Sequence, residues 1–405
     1  MKFEIPLINN AYYKDNVFHI YQIDENTAKV EYYSDRDIDA YISYFDADGK
    51  PIDFEKAILE GTESFTKAEC SNDDAASCLL SIGEPTATKL NLYIEGLEGE
   101  GNTAEISYCA NSTTDLYITY FDAFGEAVDF KKVTLPVSEE FTKVTHTGNK
   151  NATSYVACLG EPTAEKLGFY MGTAVSGDGR LAEIEYCSDK DTQAYISYFD
   201  TFGNAIGSEK VLLTASEKLT KAECEGNSAA ATYKIAIGTP TAAKLGFYME
   251  EESTGSGNEV SINYCSDKNI NMYISFFDAS GNPIDFSKVT LDTSETLTNQ
   301  VYESKKAAAT YKVAIGTPTA EKLGFYMEES VENGTVTINY CADEARRVFV
   351  AFYDDENIMR DVKARRFEES SEMKTVNYSC SKATNYKLFI WDGVTPLYEA
   401  KGTLK

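Results

Sequence analysis

Apolar and polar residues alternate along most of this chain. In Val260-Ser-Ile-Asn-Tyr-Cys265 and Val336-Thr-Ile-Asn-Tyr-Cys341 the Val, Ile and Tyr fall on one face, and the polar residues and the Cys fall on the other. That two-residue period is the signature of a half-buried strand. A second strand, residues 272–277, is stopped by Asp278-Ala-Ser-Gly281, and the same Asp-x-x-Gly recurs from Asp46, Asp122 and Asp200. Asp can accept from its own backbone and Gly can take positive φ, so each copy predicts a hairpin turn. Residues 288–291, 296–301 and 310–316 predict three more strands, and residues 322–327 a sixth. No segment carries a helical period. Six or seven short strands in so few residues predict an all-β fold, an antiparallel two-sheet sandwich. Val336, Ile338, Ile274, Val313, Ile315 and Leu323 are its expected core.

The pattern repeats. Cys109, Cys187, Cys265 and Cys341 each follow a Tyr at spacings of 78, 78 and 76 residues, and Tyr33 stands 76 before the first. The expected organisation is therefore a tandem array of five domains. They cover 1–99 with an N-terminal lead-in strand, 100–177, 178–255, 256–331 and a divergent 332–405, with short Gly/Ser/Glu stretches between. The phrase Pro-Thr-Ala-Glu-Lys-Leu-Gly-Phe-Tyr-Met fills 318–327, returns closely at 162–171 and 240–249, and is worn at 85–94.

The strand Tyr311-Lys-Val-Ala-Ile315, and its counterpart from Tyr233, is similar to the Tyr-x-Val-x-Val strand of fibronectin type III and related immunoglobulin-like domains. The last unit, with Val348-Phe-Val-Ala-Phe-Tyr-Asp354 and Tyr386-Lys-Leu-Phe-Ile-Trp-Asp392, resembles small immunoglobulin-like modules at the C-termini of Gram-positive surface proteins. The resemblance spans all five units and implies a sandwich fold and surface exposure. It names no ligand. Cys78 stands where the corner Tyr would be in the first unit.

Charge narrows the partners. With 37 Lys and Arg against 65 Asp and Glu the net charge is −28, which disfavours nucleic acid and anionic membranes. No apolar run is long enough to cross a bilayer. The start of the chain lacks the pattern of a secretory signal. The expectation is a surface-exposed protein of a cell, spore or virion, reached after removal of a signal or by release from a cell.

Chemistry is sparse. Two His, His19 and His146, recur in no other unit, and the carboxylates read as a solvated surface, so neither catalytic residues nor a metal or cofactor site is expected. Asp46-Ala-Asp-Gly49 resembles the start of a calcium loop only weakly, because the other copies have one Asp there. The alternation places Tyr117 and Phe121, Tyr195 and Phe199, and Tyr273 and Phe277 on the strand face away from the core. Tyr41 and Phe45 match them in the first unit, and Phe349 and Tyr353 in the last. These rings suit inter-chain packing, glycan stacking, or cover by their own unit. Cys109, Cys187, Cys265 and Cys341 form one column without a partner column. Along one chain they are expected too far apart to bond, so they are either inert thiols or inter-chain disulfides. Five of the seven Arg (Arg346, Arg347, Arg360, Arg365, Arg366) fall in the last unit, whose residues 335–405 have a net charge of zero. They are candidates for contact with an acidic unit of another chain.

The expected function is non-enzymatic: a structural subunit of a fibre, appendage or virion surface, with itself or other surface proteins as partners. The rival reading is an adhesin whose outer aromatics hold glycan or host protein.

Overall fold

The computed structural model describes residues 11–14, 17–252, 257–392 and 395–404. Residues 1–10 of the expected lead-in and 253–256 of the third linker lie outside them. The fold is all-β, a tandem array of five repeats with ten small antiparallel sheets, two per repeat.

Repeat 2 shows the plan. Its strands are A (Leu92–Glu95), A′ (Glu98–Glu100), B (Thr103–Ala110), C (Thr114–Phe121), D (Ala127–Leu135), E (Ser138–Thr147) and F (Ser154–Leu159). One sheet has the order E-B-A and the other D-C-F-A′. This is an immunoglobulin-like order without the usual seventh strand. Strand A changes sheet at Gly96, whose φ of 85° suits glycine, and A′ then pairs with F where the seventh strand would lie. The alternating residues meet between the sheets, where Ile106, Tyr108, Leu116, Ile118, Tyr120 and Leu135 are buried. Burial of such side chains stabilises by about 1.5–3 kcal/mol each, which is what sets the register.

The C–D turn follows its sequence signature. Asp122 Oδ1 accepts from the N–H groups of Phe124 and Glu126 at 2.9 and 3.0 Å, and Gly125 has φ 76°. Asp46, Asp200 and Asp278 do the same. In repeat 5 Asp354 keeps the bonds while Asn357 takes the positive φ. Asp46 Oδ1 is thus committed to backbone donors.

Of the expected core, Val336, Ile338, Ile274 and Ile315 are buried, and Val313 packs half-buried against the same cluster as Ile274. Leu323 is buried outside any sandwich core. The reason corrects the reading of the ten-residue phrase. It is not the sixth strand of its own repeat. Its first half forms one helical turn, and its second half is strand A of the next sandwich. Sheets therefore begin at Leu92, Phe169, Phe247 and Phe325, inside what the sequence assigns to the preceding unit.

With A and A′ counted as one strand that changes sheet, a repeat has six strands and is entered and left at one end. Leu92 at the start of A pairs with Ala110, Leu159 at the end of F pairs with Leu116, and only the short B–C turn separates the two partners. The terminal repeats vary this plan. In repeat 1 a hairpin, Ala11–Lys14 and Val17–Asp24, widens the first sheet to four strands. In repeat 5 strand A (Phe325–Glu332) stays paired with B (Thr335–Ala342) throughout, and a seventh strand, G (Thr395–Thr403), takes the place beside F (Asn385–Asp392).

The chain forms two compact units, 1–173 with 184–192 and 213–222, and 174–183 with 193–212 and 223–405. The boundary runs through repeat 3. The first unit holds both sheets of repeats 1 and 2 and most of the E-B-A sheet of repeat 3. The second holds the D-C-F-A′ sheet of repeat 3 and both sheets of repeats 4 and 5.

Candidate functional site

The feature that recurs with its chemistry intact is the joint between successive repeats, and the ten-residue phrase builds it. After strand F of repeat 3 (Thr232–Ile237), Thr241 caps the turn Ala242–Leu245, its Oγ1 accepting from Lys244 N–H at 3.4 Å. Lys244 Nζ reaches back to the last carbonyl of strand F, Ile237, at 3.2 Å. Gly246, at φ 73°, ends the turn. Its carbonyl then accepts from Asp267 N–H in the B–C turn of repeat 4. Ala242 and Leu245 are buried under the turn. Thr163 with Gly168, and Thr319 with Gly324, repeat this geometry. In the worn first copy Thr86 makes no cap bond and Asn91 replaces the glycine at φ 60°.

Strand A then alternates across the joint. Phe247 enters the core of repeat 4, whereas Tyr248 turns to the outer face of strand C in repeat 3. There it meets Tyr195 edge-on with ring centroids 5.0 Å apart. The same pair occurs as Tyr41–Tyr93 at 5.1 Å, Tyr117–Tyr170 at 5.4 Å and Tyr273–Tyr326 at 5.3 Å, a geometry the ring quadrupoles favour. Lys56, Lys132, Lys210 and Lys288 lie over the strand C rings at 5.3–5.8 Å. Two residues along strand C, a hydroxyl crosses the joint. Ser43 Oγ donates to Leu92 O and Thr119 Oγ1 to Phe169 O, both at 2.6 Å, and Ser197 Oγ donates to Phe247 O. Ser275, at the fourth joint, finds no such partner among the described residues.

This placement corrects the inter-chain roles expected of the aromatic and cysteine columns. Tyr117, Tyr195 and Tyr273 do face away from their own cores, yet the next repeat of the same chain covers them. Phe199 and Phe277 are buried, and Phe121 is half-buried. Cys109, Cys187, Cys265 and Cys341 lie opposite the core residues, as the alternation requires, but each is 0% exposed inside a joint. For Cys109, Cys265 and Cys341 a bulge against strand E falls at the cysteine itself. Burial pushes all four thiols up to about 11. A thiol so covered and protonated is unavailable to another folded chain. No second column of cysteines lines the joints, but at one joint a single further cysteine comes close. Cys158 of strand F in repeat 2 shares a cluster with Cys187, because strand F of one repeat faces strand B of the next. All nine cysteines are free thiols.

Three of the Arg are engaged within repeat 5. Arg346 pairs with Glu344, Arg360 with Asp354, and Arg366 with Glu368 at 3.9 Å. Arg347 and Arg365 are exposed and make no ion pair among the described residues. The two His lie in different repeats, and burial lowers both pKa values. The sequence reading passed over Phe124 and Phe202, which are 91% and 88% exposed at matching positions of the C–D turns in repeats 2 and 3. An apolar residue inside an Asp-x-x-Gly turn was the available signal. No helix of the described residues is long and apolar enough to cross a membrane.

No protein-family model matches the sequence, and no curated protein does. Among solved structures, the chain is similar to Escherichia coli alpha-2-macroglobulin activated by porcine elastase, at 9% identity over 94% of this chain and 51% of that one, with a TM-score of 0.17. It is also similar to the BSP domain of a biofilm-associated protein, at 9% identity over 96% of this chain and 93% of that one, with a TM-score of 0.15. The chain spans about half the length of the macroglobulin, and at these values the likeness adds nothing on activity or partners.

Proposed function

We propose that this chain is a non-enzymatic structural protein, a tandem β-sandwich array that serves as a subunit of a surface assembly such as a fibre, an appendage or a virion surface. The observation that carries this reading is the joint. The same Tyr pair, buried Cys and helical turn recur at all four junctions. Side chains with the best chemistry for a ligand are thus spent on holding one repeat to the next. Arrays of this kind gain stability from each neighbour interface, and what such joints supply is fixed spacing. The test is negative-stain microscopy of the purified chain and of native material that carries it. Ordered polymers or regular incorporation into a surface layer are expected. A chain that stays monomeric and binds a glycan array would overturn the reading.

A second reading, an adhesin, is favoured by Phe124 and Phe202, since a ring held almost wholly in water at a hairpin tip suits insertion into a partner. If it holds, Phe124→Ser with Phe202→Ser abolishes glycan or host-protein binding and leaves the melting temperature unchanged.

A further inference from the structure

Every internal joint uses the same two surfaces. The outer face of the D-C-F sheet of one repeat meets the outer face of the E-B-A sheet of the next, and each kind of face also occurs once more, in a terminal repeat. Repeat 5 carries the first kind. Phe349 holds the position of Tyr117 and its equivalents, and it lies 5.4 Å from Trp391, which in turn lies 6.5 Å from Phe389. Repeat 1 carries the second kind. Tyr33 holds the position of the buried cysteines and is 39% exposed, beside Phe65, which is 56% exposed, with ring centroids 6.2 Å apart.

A repeat that only closes an array presents a polar outer face. Both terminal faces here do the opposite and are more aromatic than the internal faces they match. Phe389 stands where Cys158, Ala236 and Ala314 stand, Trp391 where Gly160, Gly238 and Gly316 stand, and Tyr33 where the cysteines stand. Charge favours the pairing too. Register puts Arg347, Arg366 and Lys387 on the same side of the repeat 5 sheet as Phe349, while residues 1–84 hold 18 acidic and 7 basic side chains.

We propose that copies of this chain associate head to tail, with the outer D-C-F face of repeat 5 in one copy docking on the outer E-B-A face of repeat 1 in a second copy, in imitation of the internal joint. Two different surfaces meeting in this way form a heterologous contact, which propagates into a filament or closes into a ring. Ala351 replaces the Ser or Thr that bonds across the internal joints, and no covalent turn ties the two copies. The contact is therefore weaker than an internal joint, reversible and sensitive to salt. The proposal rests on the structural reading above and specifies its surfaces.

Sedimentation velocity of the full chain over a range of concentrations and salt tests it. Tyr33→Asp with Phe65→Asp disables the head, and Arg347→Glu with Arg366→Glu disables the tail. Each variant is expected to lose about tenfold or more in self-association with an unchanged thermal melt. Mixing the two variants restores a one-to-one dimer and nothing longer, because one intact head meets one intact tail. Wild-type-like association by either folded variant, or no dimer on mixing, overturns the proposal. A wild-type chain that enters native assemblies yet never self-associates in solution also overturns it, and leaves the structural reading standing. A monomer that enters no assembly and binds glycan removes both.

Discussion

A cysteine on the polar side of a strand reads from sequence as half-covered, because alternation gives the face and says nothing of what lies against it. Cys265 shows both parts. It does sit opposite Val260, but Tyr248, Leu245 and Ala236 enclose it. The consequence is chemical. In the folded chain Cys70, Cys224 and Cys380, which are only partly covered, react with a thiol reagent first, and the four joint cysteines stay unlabelled until the protein is unfolded; uniform labelling would contradict the joint. The pH dependence has a definite sign. Burial raises the Cys265 thiol from near 9 to about 11, so the folded state prefers the protonated form. Its contribution is complete below about pH 9 and is lost as pH rises through about 11. Cys265→Ala, which removes this titration, is expected to flatten the fall in melting temperature across that window relative to wild type.

At the scale of elements, the strands and C–D turns were legible because each is fixed by its own residues: alternation for the faces, Asp and Gly for the turn. The helical turn was not. Ala242–Leu245 is too short to show a period, and its role depends on the strands it connects, since Thr241, Lys244 and Gly246 act on strand F behind and on the B–C turn ahead. The phrase could be seen to matter but could not be assigned to one repeat. Its glycine is the most constrained position. A Cβ on Gly246 would lie 3.2 Å from Lys234 Nζ and 3.5 Å from the Phe199 ring, at a backbone angle that L side chains seldom adopt. Gly246→Ala should therefore cost roughly 1–3 kcal/mol, and Leu245→Ala, which opens a void under the turn, about 2–5 kcal/mol, both read by denaturant unfolding. Asn91→Gly in the worn copy is expected to stabilise, because it relieves a non-glycine residue of positive φ.

For the whole molecule, the repeat count and fold class were open to view in a 76–78-residue spacing, whereas the manner of joining was not. Sequence suggests sandwiches strung through linkers. The structure instead lays the outer face of one sheet on the outer face of the next, which is why the aromatic column faces neither its own core nor solvent. Removing repeat 5 would uncover Tyr273 and Ala314, and the shortened chain is expected to melt at a lower temperature, a drop that calorimetry would register. One property of the six-strand plan bears on how the array answers a pull. Because the chain enters strand A and leaves strand F at the same end of each six-strand repeat, tension on the backbone opens the A–B and F–C ladders one rung at a time from their loaded ends rather than shearing all rungs together. Strand A of repeat 2 offers four rungs and that of repeat 3 three, against eight in repeat 5. Under load the molecule thus yields first at repeats 2 and 3, as an extensible element, while the terminal repeats, with eight rungs each, hold longer.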